Sequence, residues 1–180
     1  MKFEFSAGGI VLRQAQDFGS KPQFSKKRIE VLVCQHSQHH GWVFPKGLID
    51  KKQSAISNQQ SVKETKEEAA LREVKEETGI SGKIIKPLTP VTYWYAFKGD
   101  PSTGSGQEKI KKTVYYFLME YVSGDTKDHD FEMENVEWLA MDEAEGRLTY
   151  KSDKEVWEQA KEKIRNLNIE IRNGSASSPS

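Results

Sequence analysis

The sequence predicts an α/β fold, a sandwich in which helices flank a mixed central sheet. A helical pattern covers residues 64–78 and stops at Gly79. Runs of β-branched and aromatic residues lie on both sides of it, the strongest at residues 113–121. A last segment, residues 153–166, carries an apolar stripe at helical spacing. Strands on both sides of a long helix indicate parallel pairs as well as hairpins, hence a mixed sheet.

The N-terminal part alternates between strands and polar loops. Strands are predicted at residues 3–12, 29–35 and 42–44, and loops at 14–27 and 37–41. Gly8-Gly9 predicts a bend or bulge within the first strand. Pro45 prevents the third strand from continuing into a central ladder position.

The central helix is predicted to begin near Ser61 or Glu64 and to end at Thr78, where Gly79 supplies a left-handed stop. Ala69, Ala70 and Val74 form a small-residue face that can lie close to a sheet. Further strands are predicted at residues 80–85, 90–97, 113–121 and 136–139, with a hairpin loop at 99–106 and a helical turn from Asp142. Asp153 is predicted to cap the final helix, which runs to about Asn166.

The length of 180 residues predicts one domain, residues 1–168, with a polar insertion at about 51–61 and a disordered tail at 169–180. Lys and Arg total 27 and Asp and Glu total 27, so no global positive charge indicates an obligatory nucleic-acid partner. The only cysteine, Cys34, follows an apolar strand pattern and excludes an internal disulfide framework. No signal peptide and no membrane-length apolar run is visible, so we expect a cytoplasmic protein; its oligomeric state is left open.

Three carboxylates lie close together in Arg72-Glu73-Val74-Lys75-Glu76-Glu77-Thr78-Gly79-Ile80. Glu73, Glu76 and Glu77 are spaced at i, i+3 and i+4, so they share one side of the helix and repel one another. A hard divalent cation, which prefers oxygen ligands, would relieve that repulsion. Because 30% of the residues are charged, the spacing alone would favour a solvated helix face over a metal site.

The residues upstream favour the metal site. Gly47, Glu64 and the segment 72–80 together resemble the signature of the Nudix hydrolase family, and residues 42–47, Trp-Val-Phe-Pro-Lys-Gly, resemble the approach to it. The segment Leu48–Lys63 between the glycine and the first glutamate is longer than usual, and Asn58 occupies the position that the usual spacing gives to glycine. We therefore interpret the extra residues as a surface-loop insertion. Such an insertion costs little free energy, because the entropy of loop closure grows slowly with loop length.

The resemblance implies an α/β/α sandwich that hydrolyses a nucleoside diphosphate linked to another group, with Mg²⁺, or alternatively Mn²⁺, as cofactor. It implies that Glu73, Glu76 and Glu77, which are also the candidate catalytic residues, hold the metal with the Gly47 carbonyl. The general base varies within the family, and Glu73 is our candidate. Arg72 is expected to orient the glutamates. Glu134, with Glu132 as its neighbour, is the candidate for a further ligand, although a solvated acidic loop fits equally well.

Candidate substrate-binding residues are Lys46, Tyr93, Tyr95, Lys112 and Tyr115. Lys46 adjoins Gly47 and could meet a phosphate. Lys112 closes the basic run of Lys109, Lys111 and Lys112, and the following Thr-Val-Tyr-Tyr-Phe-Leu resembles a strand of the dinucleoside polyphosphate (Ap4A-type) branch of the family. The expected partner is a small nucleotide or polyphosphate, and one or two of the tyrosines are expected to reach the cleft, where a ring could stack on a base.

Other functions stay open. They are hydrolysis of diphosphoinositol polyphosphates, of damaged nucleoside triphosphates or of RNA 5′ ends, and a non-catalytic module that only binds nucleotides. The presence of Glu64, Glu73, Glu76 and Glu77 argues against the last of these. The histidines at positions 36, 39 and 40 are expected to form a solvated turn, since no second cluster at zinc-ligand spacing accompanies them.

Overall fold

The structure is a computed structural model that describes residues 2–15, 29–49, 64–97 and 108–174. The predicted insertion at 51–61, the predicted hairpin loop at 99–106, most of the predicted loop at 14–27 and residues 175–180 of the predicted tail lie outside these ranges.

Within the described ranges, eight strands form one sheet in which parallel and antiparallel pairs are mixed. The strands are β1 (Lys2–Gln14), β2 (Ile29–His36), β3 (Trp42–Val43), β4 (Lys46–Leu48), β5 (Ile80–Pro87), β6 (Val91–Phe97), β7 (Glu108–Gly124) and β8 (Met133–Ala140). The long strands β1 and β7 pair in parallel at its centre. The main order is β3-β2-β1-β7-β5, with β4 also on β1, β6 also on β7 and β8 on β2.

In the part of the chain that the structure describes, three α-helices accompany the sheet: α1 (Lys66–Thr78), α2 (Met141–Arg147) and α3 (Lys151–Gly174). α1 begins with a capping box, in which the side chains of Thr65 and Glu68 bind each other's backbone N–H groups. It ends at Gly79, whose φ of 72° is the left-handed conformation that glycine adopts without strain. The predicted end of this helix is confirmed.

The two faces of the sheet carry different clusters of buried side chains. One cluster joins Ile10, Val114 and Tyr116 to Val156 and Trp157 of α3. The other joins Ala7, Val11, Phe117 and Met119 to Ala69, Ala70 and Val74 of α1. Because successive side chains of a strand point to opposite faces, α1 and α3 lie on opposite sides of the sheet. The prediction of an α/β sandwich with a mixed sheet is confirmed.

The prediction for the last helix was wrong at both ends. α3 begins at Lys151, so Asp153 lies inside its first turn and is buried rather than capping it. It runs to Gly174 instead of ending near Asn166, so residues 169–174 of the predicted tail are helical. No helix within the described ranges is long and apolar enough to cross a membrane.

Candidate functional site

The carboxyl group of Glu73 lies against the backbone of Gly47. α1 presents Glu73 towards β4, and a Cβ atom added at Gly47 would overlap that carboxyl group. Only glycine therefore permits this approach. Burial raises the pKa of Glu73, an effect that the hydrogen bond and charge of Arg72 oppose. Gly47 and Glu73, which the sequence places in one motif, are thus in direct contact.

Arg72 gathers the acidic residues around it. Its Nε and Nη2 atoms donate to the two carboxylate oxygens of Glu64, at 2.9 and 3.0 Å. Its Nη1 donates to Glu73 at 2.7 Å and to Glu76 at 3.0 Å, and Nη2 also donates to the Leu48 carbonyl at 3.0 Å. These bonds raise the pKa of the guanidinium, with the Glu64 bond contributing most. Arg72 orients the glutamates, as expected, and ties α1 to the end of β4.

Glu77 is the most deeply buried carboxyl of the three, with 3% of its surface exposed. Its Oε2 accepts a 2.8 Å hydrogen bond from the backbone N–H of Lys46. Burial raises the pKa of Glu77 to about 8, although the nearby Lys46 charge and N–H oppose that change. A carboxyl with such a pKa is poised to lose its proton near neutral pH when a cation offers compensation.

The donor set suits a hard divalent cation. It consists of the carboxylates of Glu73, Glu76 and Glu77 beside a glycine that leaves room for them. Among the described residues, however, no three acidic, histidine or cysteine side chains are already grouped as a metal cage. Arg72 instead occupies oxygens of Glu73 and Glu76. Binding of a cation would require these two side chains to exchange the guanidinium for the metal.

Lys46 lies between the acidic helix and the opposite face of the sheet. Its backbone binds Glu77, while its half-buried side chain interacts electrostatically with Asp153 and Tyr93. Burial alone would lower the pKa of this lysine, but Asp153 and Glu77 more than compensate and raise it. Lys46 therefore remains a cation, as a phosphate-binding role requires.

Asp153, 1% exposed, binds the segment that leads into β4. Its Oδ1 accepts the backbone N–H of Phe44 at 3.0 Å and the hydroxyl of Tyr116 at 3.4 Å. Phe44 in turn packs on Trp157, one turn further along α3. Sequence reasoning missed this role, because an aspartate near a helix start is typical of a cap and nothing local identifies Phe44 as its partner.

The loop between α2 and α3 holds the same segment at its other end. Trp42 and Thr149 exchange two hydrogen bonds, at 2.9 and 3.0 Å, and Tyr150 bonds His39 at 3.0 Å. The guanidinium of Arg147 lies 4.6 Å from the centre of the Trp42 ring. We call these contacts, together with Asp153, the α3 clamp. It fixes the backbone that places Lys46 and Gly47.

The two acidic residues at the start of β8 have different surroundings. Glu134 pairs with His40 at 2.7 Å, with both side chains exposed. Glu132, 3.5 Å from His36, is the loop carboxylate whose charge raises the pKa of both Glu73 and Glu77. The structure therefore brings Glu132 electrostatically close to the cluster and gives Glu134 another partner.

The candidate substrate-binding residues divide between the two faces of the sheet. Tyr93 and Lys112 are cross-strand partners on the α3 side, where burial and the Lys46 charge lower the pKa of Lys112. Tyr95, on the same side, donates to Glu4 at 2.6 Å; burial and that carboxylate raise its pKa to about 12. Tyr115 lies on the α1 side, packed against the cluster that contains Ala70. Tyr93 is thus grouped with Lys46 and Lys112, and Tyr115 is separate.

Comparison with known proteins finds relatives that match most of this chain. The family model of the NUDIX domain matches residues 23–162. A Mycobacterium tuberculosis protein named as mutator protein MutT4 is 33% identical over 164 residues, which cover 91% of this chain and 57% of that protein. An 8-oxo-(d)GTP phosphatase of Mycolicibacterium smegmatis is 28% identical over 84% of this chain and 39% of its own length. The chain therefore spans only about half the length of these relatives.

Among solved structures, the binary complex of a Caenorhabditis elegans Ap4A hydrolase superimposes with a TM-score of 0.57. The match covers 91% of this chain and 98% of that one at 20% identity, which supports the fold.

Proposed function

Because the chain belongs to the Nudix hydrolase family, we propose that it hydrolyses a pyrophosphate bond of a nucleoside polyphosphate. The reaction would need a divalent cation, for which Mg²⁺ is our first candidate. The observation that carries the proposal is the contact between Gly47 and the Glu73 carboxyl group, beside Glu76 and Glu77 on the same helix. This packing of acidic groups against a bare backbone has no structural need of its own, since it buries charge and raises the pKa of two carboxyls.

We assign the metal to Glu73, Glu76, Glu77 and the Gly47 carbonyl. When bound, Mg²⁺ would neutralise charge on the phosphate oxygens and lower the pKa of an attacking water. As further ligand or base we now favour Glu132 over Glu134, because Glu132 interacts electrostatically with Glu73 and Glu77 whereas Glu134 pairs with His40. Glu73 stays our first candidate for the general base.

The other residues bind and orient. Lys46 and Lys112 lie within electrostatic range of each other and of Glu77, so both could meet the oxygens of one phosphate chain. Tyr93, half-buried beside Lys112, is our candidate for contact with the nucleoside. Arg72 holds Glu73 and Glu76 until the cation binds and keeps Glu64 throughout. The α3 clamp keeps Lys46 in place.

Two substrate classes deserve direct comparison. We place oxidised nucleoside triphosphates first, because the relatives that match 91% and 84% of this chain are named as a mutator protein and an 8-oxo-(d)GTP phosphatase. Dinucleoside polyphosphates, the class expected from the sequence, come second. They are favoured by two half-buried lysines, Lys46 and Lys112, which suit a long phosphate chain.

The test is product analysis on a substrate panel with Mg²⁺ and with EDTA. We expect 8-oxo-dGTP to be cleaved faster than dGTP and Ap4A, and reaction in ¹⁸O-labelled water to identify the phosphorus attacked. Ap4A, diphosphoinositol polyphosphate and RNA bearing a 5′-triphosphate complete the panel. Glu73→Gln serves as the inactive control and Glu155→Gln, an exposed change on α3, as the active one.

Tight binding of nucleotides without turnover of any panel member would show that the chain is a nucleotide-binding module and not an enzyme. Turnover that persists in EDTA, or in the Glu73→Gln variant, would refute the proposed metal site.

A further inference from the structure

Among the described residues, no helix packs over the start of β1 and the adjoining parts of β6 and β7 on the α1 side. α1 begins at Lys66 and packs on the sheet from Ala7 onward, together with Phe117 and Met119. Nearer the start of β1, side chains of the same face point away from the sheet. The strands there are β1, β7 and β6, and their register shows which side chains are neighbours.

This uncovered surface displays aromatic rings. Phe3 of β1 and Trp94 of β6 are both partners of Lys111 on β7, so the three side chains form one row across the sheet. The next row contains Phe5, paired with Thr113. Phe3 is 52% exposed, Phe5 46% and Trp94 49%, which is unusual for three large apolar side chains on one sheet surface. We call this surface the aromatic platform.

Lysines accompany the rings. The Nζ atoms of Lys111 and Lys109 lie 5.6 and 5.9 Å from the centre of the Trp94 ring. At the edge of the platform, Lys66 lies 4.9 Å from the centre of the Tyr115 ring. These lysine–ring contacts are cation–π geometries that keep positive charge beside the aromatic faces. A ligand that combines flat rings with negative charge would satisfy both kinds of group.

A cavity of about 530 Å³ adjoins the platform. Phe5, Tyr115, Ile49 and Lys66 contribute to its lining, together with Glu64 and Thr65 at the start of α1. Its volume is in the range of small-ligand sites and suffices for a nucleobase with its sugar. Glu64 is bound to Arg72, so its charge is compensated, and Glu67 is the remaining acidic residue in the lining.

We propose that the aromatic platform and this cavity bind single-stranded nucleic acid. Sheet surfaces that bind single strands stack bases on exposed aromatic rings and meet the phosphates with lysine or arginine. A second copy of the chain or another protein would bury the rings equally well, but it would have no use for three lysines beside them. The charge is local, in accord with a net charge of zero, so the interaction is moderate and depends mainly on stacking.

The proposal goes beyond hydrolysis and does not rest on it, so it is tested without turnover. The probe is a fluorescein-labelled RNA of about 12 nucleotides, titrated with the full chain in EDTA while anisotropy is recorded. We expect a Kd of about 1–100 µM at low salt and a slope of log K against log salt of about −2 for three lysines. A duplex of the same sequence should bind more weakly, because its bases are already stacked.

The variants Trp94→Ala and Lys111→Gln identify the surface. Replacing the ring should weaken binding by about 5- to 100-fold, and Lys111→Gln should also reduce the salt slope. Phe131→Ala, at a residue that is 95% exposed, and Lys151→Gln, whose side chain is 90% exposed, are matched controls that should bind normally. Circular dichroism checks that each variant is folded.

Four results would overturn the proposal: no binding at millimolar protein, equal binding by all variants, equal binding of duplex and single strand, or a Trp94-dependent dimer in sedimentation. The last would instead assign the platform to a second copy of the chain. If the chain binds RNA but hydrolyses no member of the substrate panel, only the proposed function is refuted.

Discussion

At Gly47 the absence of a side chain determines where a carboxylate can lie. The Glu73 carboxyl group occupies the volume that a Cβ atom would need, and Arg72 holds it there through a 2.7 Å ion pair. A methyl group at this position would meet the end of the Glu73 side chain, so the carboxyl group would have to move away for it to fit. The site is therefore sensitive to the smallest possible substitution.

Replacement of Gly47 by alanine should displace Glu73 and reduce kcat by about 100-fold or more, because a misplacement of about 1 Å has that effect on a catalytic group. The free energy of unfolding should fall by no more than about 1 kcal/mol, because the end of the Glu73 side chain can move aside. The matched control is Gly146→Ala in α2, where an added Cβ meets no atom within 4 Å. That variant should keep full activity. Equal activity of the two variants in steady-state assays would show that the Gly47–Glu73 contact is dispensable.

Glu77 shows how the site balances burial against charge. Burial raises the pKa of this carboxyl from 4.5 to about 8, so the folded metal-free protein favours its protonated form. The unfolded chain releases that proton at lower pH. The stabilising contribution of the protonated group is therefore complete below about pH 4.5 and is lost as the pH rises through about 8.

In EDTA, the free energy of unfolding of the wild type should decrease between pH 5 and pH 8 by about 3–5 kcal/mol from this group. Glu77→Gln removes the ionisable group but keeps an acceptor for the Lys46 N–H, so its stability should change much less with pH. Urea titrations at several pH values provide the measurement, with the exposed Glu76→Gln as control. Parallel pH profiles of wild type and Glu77→Gln would contradict the burial argument. Hydrolysis by Glu77→Gln should be abolished.

At the scale of elements, the short strand β4 depends on a helix from the other end of the chain. The backbone N–H of Phe44, just before β4, donates a hydrogen bond to Asp153 of α3, and the N–H of Trp42 donates one to Thr149. Neither residue is part of the acidic helix. They connect the two layers of the sandwich, because the segment bound on one side by the α3 clamp is bound on the other by Glu77 and Arg72.

Replacement of Asp153 by alanine leaves the Phe44 N–H without its acceptor and removes a negative charge from beside Lys46. We expect a loss of about 2–4 kcal/mol in unfolding stability. In protein that remains folded, KM should rise more than kcat falls, because Lys46 is displaced while Glu73 is still held by Arg72.

Asp153→Asn, which retains an oxygen acceptor, should recover most of the stability but not the low KM. Glu155→Ala, on the exposed side of the same helix, controls for changes in α3 itself. If Asp153→Asn and wild type share the same KM, the charge of Asp153 has no part in placing Lys46.

For the molecule as a whole, the sheet separates two kinds of chemistry. Its α1 side carries the carboxylates and the aromatic platform, and its α3 side carries Lys112 and Tyr93. Lys46 of β4 connects them, since its backbone binds Glu77 and its side chain interacts with Asp153. A ligand held by these groups would contact both layers, so binding and folding stability should be coupled.

Mg²⁺ should therefore stabilise the folded chain. At about 100 times its Kd, the cation should add about 2.7 kcal/mol to the free energy of unfolding, and Tm should rise by about 5–10 °C. Differential scanning fluorimetry with and without Mg²⁺ provides the measurement. The increase should vanish in Glu73→Gln and persist in Glu155→Gln. An unchanged Tm at millimolar Mg²⁺, or an equal increase in Glu73→Gln, would exclude these ligands.

The sequence alone determined the features whose causes are local. The stop of α1 at Gly79 follows from a left-handed conformation that glycine adopts freely, and the shared side of Glu73, Glu76 and Glu77 follows from helical spacing. The strand β7 likewise follows from its run of β-branched and aromatic residues, so the fold class was predictable before any contact was known.

Only the tertiary structure decided which distant residues meet. It paired Asp153 with Phe44, brought Glu132 within electrostatic range of the cluster, paired Glu134 with His40, and placed Tyr115 and Tyr93 on opposite faces. It also continued α3 past its predicted end. Such pairings depend on strand order and on the packing of helices across the sheet. Local spacing carries no information about them, because residues far apart in the chain become neighbours only when the layers are assembled.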